Sequence, residues 1–172
     1  MKTWFVTGCS SGIGAGLAKA VLEKGDQAVV TARSIEKVKG LEEKYPDRCL
    51  VLTLDVTDDQ SIAKAVKAAQ ERFGTIDVLI NNAGHGYRSS VEEGDKDAVA
   101  ELFQTNLFGP IELIKRVLPG MRAQRSGAII NISSIAASRS NIGSGYYAAS
   151  KGARGLLSEG LVHEVEPLGI KV

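Results

Sequence analysis

The chain has 172 residues, 44% of them hydrophobic and 24% charged, with a formal net charge of +1. That describes one ordinary soluble domain with enough apolar side chains to bury a core. Near-neutrality gives no support for nucleic acid or an anionic membrane surface as the main partner, and no apolar run approaches the roughly 20 residues needed to span a bilayer.

The N-terminus, MKTWFVTG, runs straight into a strand and reads as carrying no signal peptide. Trp4-Phe5-Val6, Ala28-Val29-Val30, Leu50 to Leu54, Val78-Leu79-Ile80 and Ala128 to Ile132 follow as continuous apolar runs. Strands of that kind are buried on both faces, as in a parallel sheet. Helical patterns lie between them: Asp58 to Phe73 places Ile62, Val66, Ala69 and Phe73 on one face. The alternation predicts a single doubly wound α/β domain over residues 1–172. Gly169 to Val172 reads as the start of another strand. Without strands beyond it, Ala128 to Ile132 would lie at or near an exposed edge, so the domain is expected to be C-terminally incomplete. Cys9 and Cys49 form no framework pattern and read as packing residues in a reducing, cytoplasmic setting.

Thr7-Gly8-Cys9-Ser10-Ser11-Gly12-Ile13-Gly14 follows the first strand and opens a helix expected over Ala15 to Lys24. Glycines there let the backbone turn tightly and approach a pyrophosphate seated on a helix N-terminus. The spacing is G-x-x-x-G-x-G rather than G-x-G-x-x-G. After the second strand, where an acid would hold the ribose 2′-hydroxyl of NAD, stands Thr31-Ala32-Arg33-Ser34. Arg33 suits a 2′-phosphate, which makes NADP(H) the preferred cofactor and leaves NAD(H) open. A solvated arginine ahead of a helix is the plainer alternative.

These motifs, with Asp55-Val56 after the third strand, Asn81-Asn82-Ala83-Gly84 after the fourth, and Tyr147-x-x-x-Lys151, occur in an order that resembles the compact short-chain dehydrogenase/reductase family. The resemblance covers Lys2 to Val172 and implies a Rossmann sheet. It implies that Gly8, Ser10, Ser11, Gly12, Ile13 and Gly14 line the phosphates, that Asp55 and Val56 meet the adenine, and that Asn82 lies along the adenosine ribose. Longer members carry a further segment that covers the substrate.

Two tyrosines precede the lysine. Tyr147 and Lys151 are one helical turn apart, whereas Tyr146 faces roughly 100° away from Tyr147. A lysine ammonium beside a phenol favours the phenolate, as a general acid/base near neutral pH requires. Tyr147 is therefore the catalytic candidate, and Tyr146 a packing or pocket-lining residue. The resemblance also implies a catalytic serine 13 residues before the tyrosine, which is Ser134. Ser133 would face the other way and cap local backbone. It further implies a role for Asn106, whose main-chain carbonyl would hold a water in a relay through Lys151. Pro110 lacks the N–H that would reach that carbonyl; either the helix continues with a kink or it breaks at Gly109-Pro110. His85 could border the site. No cluster of Cys, His and acids suggests a metal.

Together the motifs predict an oxidoreductase moving hydride between NADP(H) and a small-molecule carbonyl or secondary alcohol. The rivals are a non-catalytic dinucleotide-binding regulator or an assembly subunit. Ala98 to Leu118 and Tyr147 to Val165 match the helices by which the family dimerises, so a homodimer or homotetramer is expected. The stripe Val99, Leu102 and Phe103 would serve core packing equally well.

Overall fold

The apolar runs lie side by side. The computed structural model describes residues 1–172 and forms one six-stranded sheet from β1 (Thr3–Val6), β2 (Gln27–Ala32), β3 (Cys49–Thr53), β4 (Val78–Asn81), β5 (Gly127–Asn131) and β6 (Ile170–Lys171). Every pairing is parallel and the order is β3-β2-β1-β4-β5-β6. The order reverses between β1 and β4, which opens a crevice at the C-terminal ends of those strands.

Helices cover both faces: α1 (Gly12–Glu23), α2 (Lys39–Lys44), α3 (Asp59–Phe73), α4 (Lys96–Phe103), α5 (Gly109–Gln124) and α6 (Gly145–Val165). Adjacent strand residues point to opposite faces. Phe5, Val29, Leu79 and Ile129 pack with Ile62, Leu113, Val117 and Leu161 of α3, α5 and α6. Val6, Val30 and Ile80 pack with Ala18 and Leu22 of α1. Burial on both faces is why these strands read as continuous apolar runs rather than alternating ones. Cys9 and Cys49 are unpaired and buried in the α1-side core. Burial pushes both thiols up to about 12. No helix is long and apolar enough to cross a membrane.

Three local features differ from, or complete, the sequence reading. α1 begins at Gly12, not Ala15, so Gly12 and Gly14 belong to its first turn. The helix holding Asn106 does not break at Pro110. It runs from Lys96 to Gln124 through a π-helical turn at Gln104–Phe108, where Gly109 N–H donates to the carbonyl of Gln104, five residues back. Proline withholds the N–H that would serve residue 106, and widening by one residue keeps the helix continuous. At the sheet edge, β6 pairs only with Gly127 and Ala128. Beyond that pairing β5 has no outer neighbour in the sheet, as expected from the sequence, and Ile130 is 39% exposed.

Candidate active site

The glycine turn is built by close approach to the loop after β4. Gly8 has φ +70° and Gly12 φ +58°, the left-handed region that glycine tolerates. A Cβ on Gly14 would overlap the Gly8 carbonyl and the Asn82 side chain. Asn82 Nδ2 donates to the carbonyls of Thr7 and Gly8 at 2.8 and 3.0 Å. Buried Thr7 ties the other side: its Oγ1 accepts from Asn82 N at 3.0 Å and Ala83 N at 2.9 Å. Nothing local in the sequence marks Thr7 for this role, because its partners arrive from a loop 75 residues away in the chain. Asn82 thus holds the turn in shape while it borders the cleft. Ser11 caps α1 without a side-chain bond to its first turn, so donors there stay open.

A cleft of about 500 Å³ lies along the C-terminal ends of the strands. In the sheet order, Asp55 and Val56 follow β3, Arg33 follows β2, Gly8, Ser10, Ser11 and Ile13 follow the central β1, Asn82 and His85 follow β4 and Ser133 follows β5, with Tyr147 and Lys151 contributed by α6. Gly12 and Gly14 shape the turn but lie outside the lining. Arg33 is exposed and in no ion pair. Asp55 Oδ1 accepts from Thr57 N at 2.9 Å and Thr57 Oγ1 at 2.7 Å. Those bonds, with a smaller contribution from Arg33, hold its carboxyl below the usual range.

The two tyrosines separate cleanly. Tyr146 Oη donates to the Val91 carbonyl at 2.6 Å, and its ring fills the space where a Cβ on Gly94 would stand. It also lies 6.1 Å from the Tyr87 ring, centroid to centroid. It braces the 85–95 loop and lines neither cleft. Tyr147 lines this cleft and a second one of about 480 Å³ that contains Ser134. Lys151 Nζ stands 5.9 Å from the Tyr147 ring centroid.

Lys151 is buried and donates to the Ile132 carbonyl at 3.0 Å. Burial, and then the positive charge of Arg154, lower its pKa to about 8. Arg154 was not foreseen, although its spacing of seven from Tyr147 and three from Lys151 places it on the same helical face. It is 1% exposed, donates through Nη2 to the same Ile132 carbonyl, and leaves Nη1 without a partner.

The serines exchange one expected role. Ser134, not Ser133, caps local backbone: its Oγ accepts from Ala136 N at 3.2 Å at the start of a short 3₁₀ turn, Ile135–Ala137. The chain turns directly after Ser134, which brings its own hydroxyl over the next free N–H. Accepting that bond leaves the Ser134 O–H free to donate. Ser133 lines the first cleft instead.

Asn106 is fully buried and lines neither cleft. Its side chain accepts from His85 N at 3.1 Å and donates to the His85 carbonyl at 2.9 Å and to Ser150 Oγ at 3.1 Å. It clamps the loop carrying His85 to α6, one residue before Lys151.

A parallel sheet of this order, with a glycine turn at the end of its first strand, is a Rossmann fold. Residues 2–172 match the short chain dehydrogenase family. Oxidoreductase BOA17 of Botryotinia fuckeliana (strain B05.10) is 40% identical over 172 residues, covering 99% of this chain and 63% of the relative. A short-chain dehydrogenase from Streptomyces avermitilis superposes with TM-score 0.96 at 43% identity, over 99% of this chain and 63% of its own. A gluconate 5-dehydrogenase from Burkholderia cenocepacia J2315, crystallised with NADP and tartrate, superposes with TM-score 0.90 at 30% identity, over 98% of this chain and 68% of its own. The chain belongs to the short-chain dehydrogenase family. It spans about 63% of the length of the first of these relatives.

Proposed function

We propose that the protein is an oxidoreductase that moves hydride between NADP(H) and a carbonyl or secondary alcohol, with Tyr147 as general acid/base. The observation that carries this reading is the position of Tyr147 at the meeting of two clefts, one walled by the glycine turn and the other by Ser134.

The first cleft fits a dinucleotide. Open donors at the α1 N-terminus and exposed Ser10 and Ser11 suit a pyrophosphate. Unpaired Arg33 suits a 2′-phosphate, and the NADP complex of the Burkholderia neighbour agrees with that preference. When bound, the cofactor supplies or accepts the hydride at the substrate carbon. Tyr147 transfers the proton at the substrate oxygen, and the Ser134 hydroxyl donates to that oxygen. Lys151, as ammonium, favours the Tyr147 phenolate and holds a ribose hydroxyl of the cofactor in this reading. Asn106 serves the site through its carbonyl, at a turn where Pro110 withholds the usual helical partner.

Self-association through α6 and the long helix of α4 and α5 belongs to the same reading. An apolar groove between α5 and α6, lined by Ile111, Leu118 and Leu157, is consistent with it.

The test is Tyr147→Phe. Loss of a positioned general acid costs about 10²–10⁴ in turnover, while NADPH affinity is expected to stay within twofold. Retention of most turnover sinks the assignment. Parallel titrations with NADPH and NADH are expected to favour NADPH, with the advantage lost in Arg33→Ala. Preference for NADH in the unmodified chain would overturn the cofactor assignment alone.

A further inference from the structure

The second cleft has a chemical character of its own. Arg88 and Arg139 stand on its wall, and no acidic side chain lines it. Both guanidinium groups are exposed, and neither enters an ion pair. Of the acids close to Arg88 in sequence, Glu92 lies outside the lining and pairs with neither arginine, and two others are engaged elsewhere. Glu93 Oε2 accepts from Ser90 Oγ at 2.7 Å, and Asp95 Oδ1 accepts from Ala98 N at 2.8 Å to cap α4.

The two arginines sit on separate loops that are fastened together. Ser89 N donates to the Gly143 carbonyl at 3.0 Å, and Tyr146 Oη to the Val91 carbonyl at 2.6 Å. These bonds hold the segment carrying Arg88 against the segment that leads from Arg139 into α6. Both segments line the cleft, together with Tyr147 and Ser134. Two unneutralised guanidinium groups bordering one cavity favour an anionic guest, and a planar carboxylate matches the guanidinium fork.

We propose that the second cleft binds the carboxylate of a carboxylate-bearing carbonyl substrate through Arg88 and Arg139, with the reacting carbonyl lying against Tyr147 and Ser134. The inference rests on the reading of Tyr147 as the proton-transfer residue, which fixes the end of the cleft where the carbonyl lies. The arginines are positioning residues for the far end of the substrate.

The probes are 4-formylbenzoate and its methyl ester, which differ at one end only, where a methyl group replaces the negative charge. Calorimetric titration of each, with and without NADP⁺, is expected to show the acid binding at least tenfold more tightly than the ester. Arg88→Gln and Arg139→Gln should each weaken the acid by at least fivefold and leave the ester and NADPH unchanged. Both side chains are exposed, so thermal melting should be unaltered. Equal affinity for acid and ester, saturable binding of neither, or an acid preference that survives the double variant would each overturn the proposal. Failure of the hydride-transfer reading is seen separately. It would appear as turnover retained by Tyr147→Phe or as absent NADPH binding, and the acid–ester comparison requires neither measurement.

Discussion

Lys151 and Arg154 converge on one acceptor, the carbonyl oxygen of Ile132 at the end of β5. Two buried cations share a neutral partner, and no carboxylate pairs with either. Burial disfavours the ammonium, and the neighbouring guanidinium disfavours it further, so the Lys151 pKa falls from 10.5 to about 8. Between those two values the unfolded chain holds the proton that the folded chain has released. Stability therefore rises with pH across the window from about 8 to 10.5, and the full cost of burying the charge is present at pH 7.

Lys151→Met and Arg154→Met are accordingly expected to stabilise the protein at pH 7, each by roughly 1–3 kcal/mol, since each removes a buried charge without an opposite partner. The gain from Lys151→Met should shrink as pH approaches 10, because the unmodified side chain has by then discharged. Denaturant unfolding at pH 7 and pH 10 measures both effects. A loss of stability in Arg154→Met would mean that its bond to Ile132 outweighs its desolvation. On the proposed function Lys151→Met should nonetheless abolish turnover, the expected opposition between stability and a buried charge kept for function.

Gly12 and Gly14 both lie in the first turn of α1, yet they should respond differently to alanine. Gly12 has φ +58° and open space around a Cβ, so Gly12→Ala should cost about 1 kcal/mol of backbone strain. Gly14 has ordinary helical backbone, where alanine would help by helix propensity alone. Its Cβ, however, would collide with the Gly8 carbonyl and Asn82. Gly14→Ala is expected to be the more damaging by at least about 2 kcal/mol, because backbone and a doubly bonded amide must move. Thermal unfolding of the two variants decides the order, and the reverse order would refute the packing role of Gly14.

The contrast shows what the sequence could convey. Continuous apolar runs give the parallel sheet because burial on both faces leaves its mark within each strand. The spacing of Tyr147 and Lys151 gives their shared face because helical geometry is local. Arg154 was hidden because a charged residue ordinarily lies on the solvated face, and only the packing of α6 against β5 shows it buried. α1 starts three residues before Ala15 because tertiary contact with Asn82 sets that turn, whereas its glycines locally argue against helix. Extended-chain alternation continued past β5 separates Ser133 from Ser134, but it does not reveal the 3₁₀ turn that makes Ser134 the cap. Pro110 leaves both kink and break open, and the choice rests on a long helix whose Leu102, Leu113 and Val117 are all buried.

Tyr146 gives a control for its neighbour. Its hydroxyl holds the Val91 carbonyl, and its ring fills the space beside Gly94. Tyr146→Phe removes one hydrogen bond and keeps the ring, so a cost of about 1 kcal/mol is expected. Turnover should stay within a few-fold, in contrast to Tyr147→Phe. Tyr146→Ala should cost more and accelerate amide exchange across residues 85–95, because the loop loses its brace. If Tyr146→Phe abolished turnover at intact stability, the division of roles between the two tyrosines would be wrong.

Asn106 offers the sharpest test of how the π-helical turn serves the site. Its buried amide satisfies both the N–H and the carbonyl of His85 and reaches Ser150 beside Lys151. Asn106→Ala leaves the Ser150 hydroxyl with one partner fewer and unfastens the loop that borders the first cleft, for an expected cost of about 2–3 kcal/mol. Asn106→Asp keeps the shape but turns an acceptor toward the His85 carbonyl, which needs a donor. It should therefore be no better than alanine at pH 7, even though the volume is preserved. A purely structural role would lower stability and leave the pH profile of the surviving turnover unchanged. The main-chain carbonyl, which would hold the relay water, is kept in both variants, so the alkaline limb of the pH–rate profile should stay where the Lys151 titration puts it. Asn106→Ser, with a shorter side chain and the same backbone, should likewise lose the clamp yet retain that limb, and a limb lost at intact folding in any of these variants would assign the relay to the side-chain amide rather than to the carbonyl.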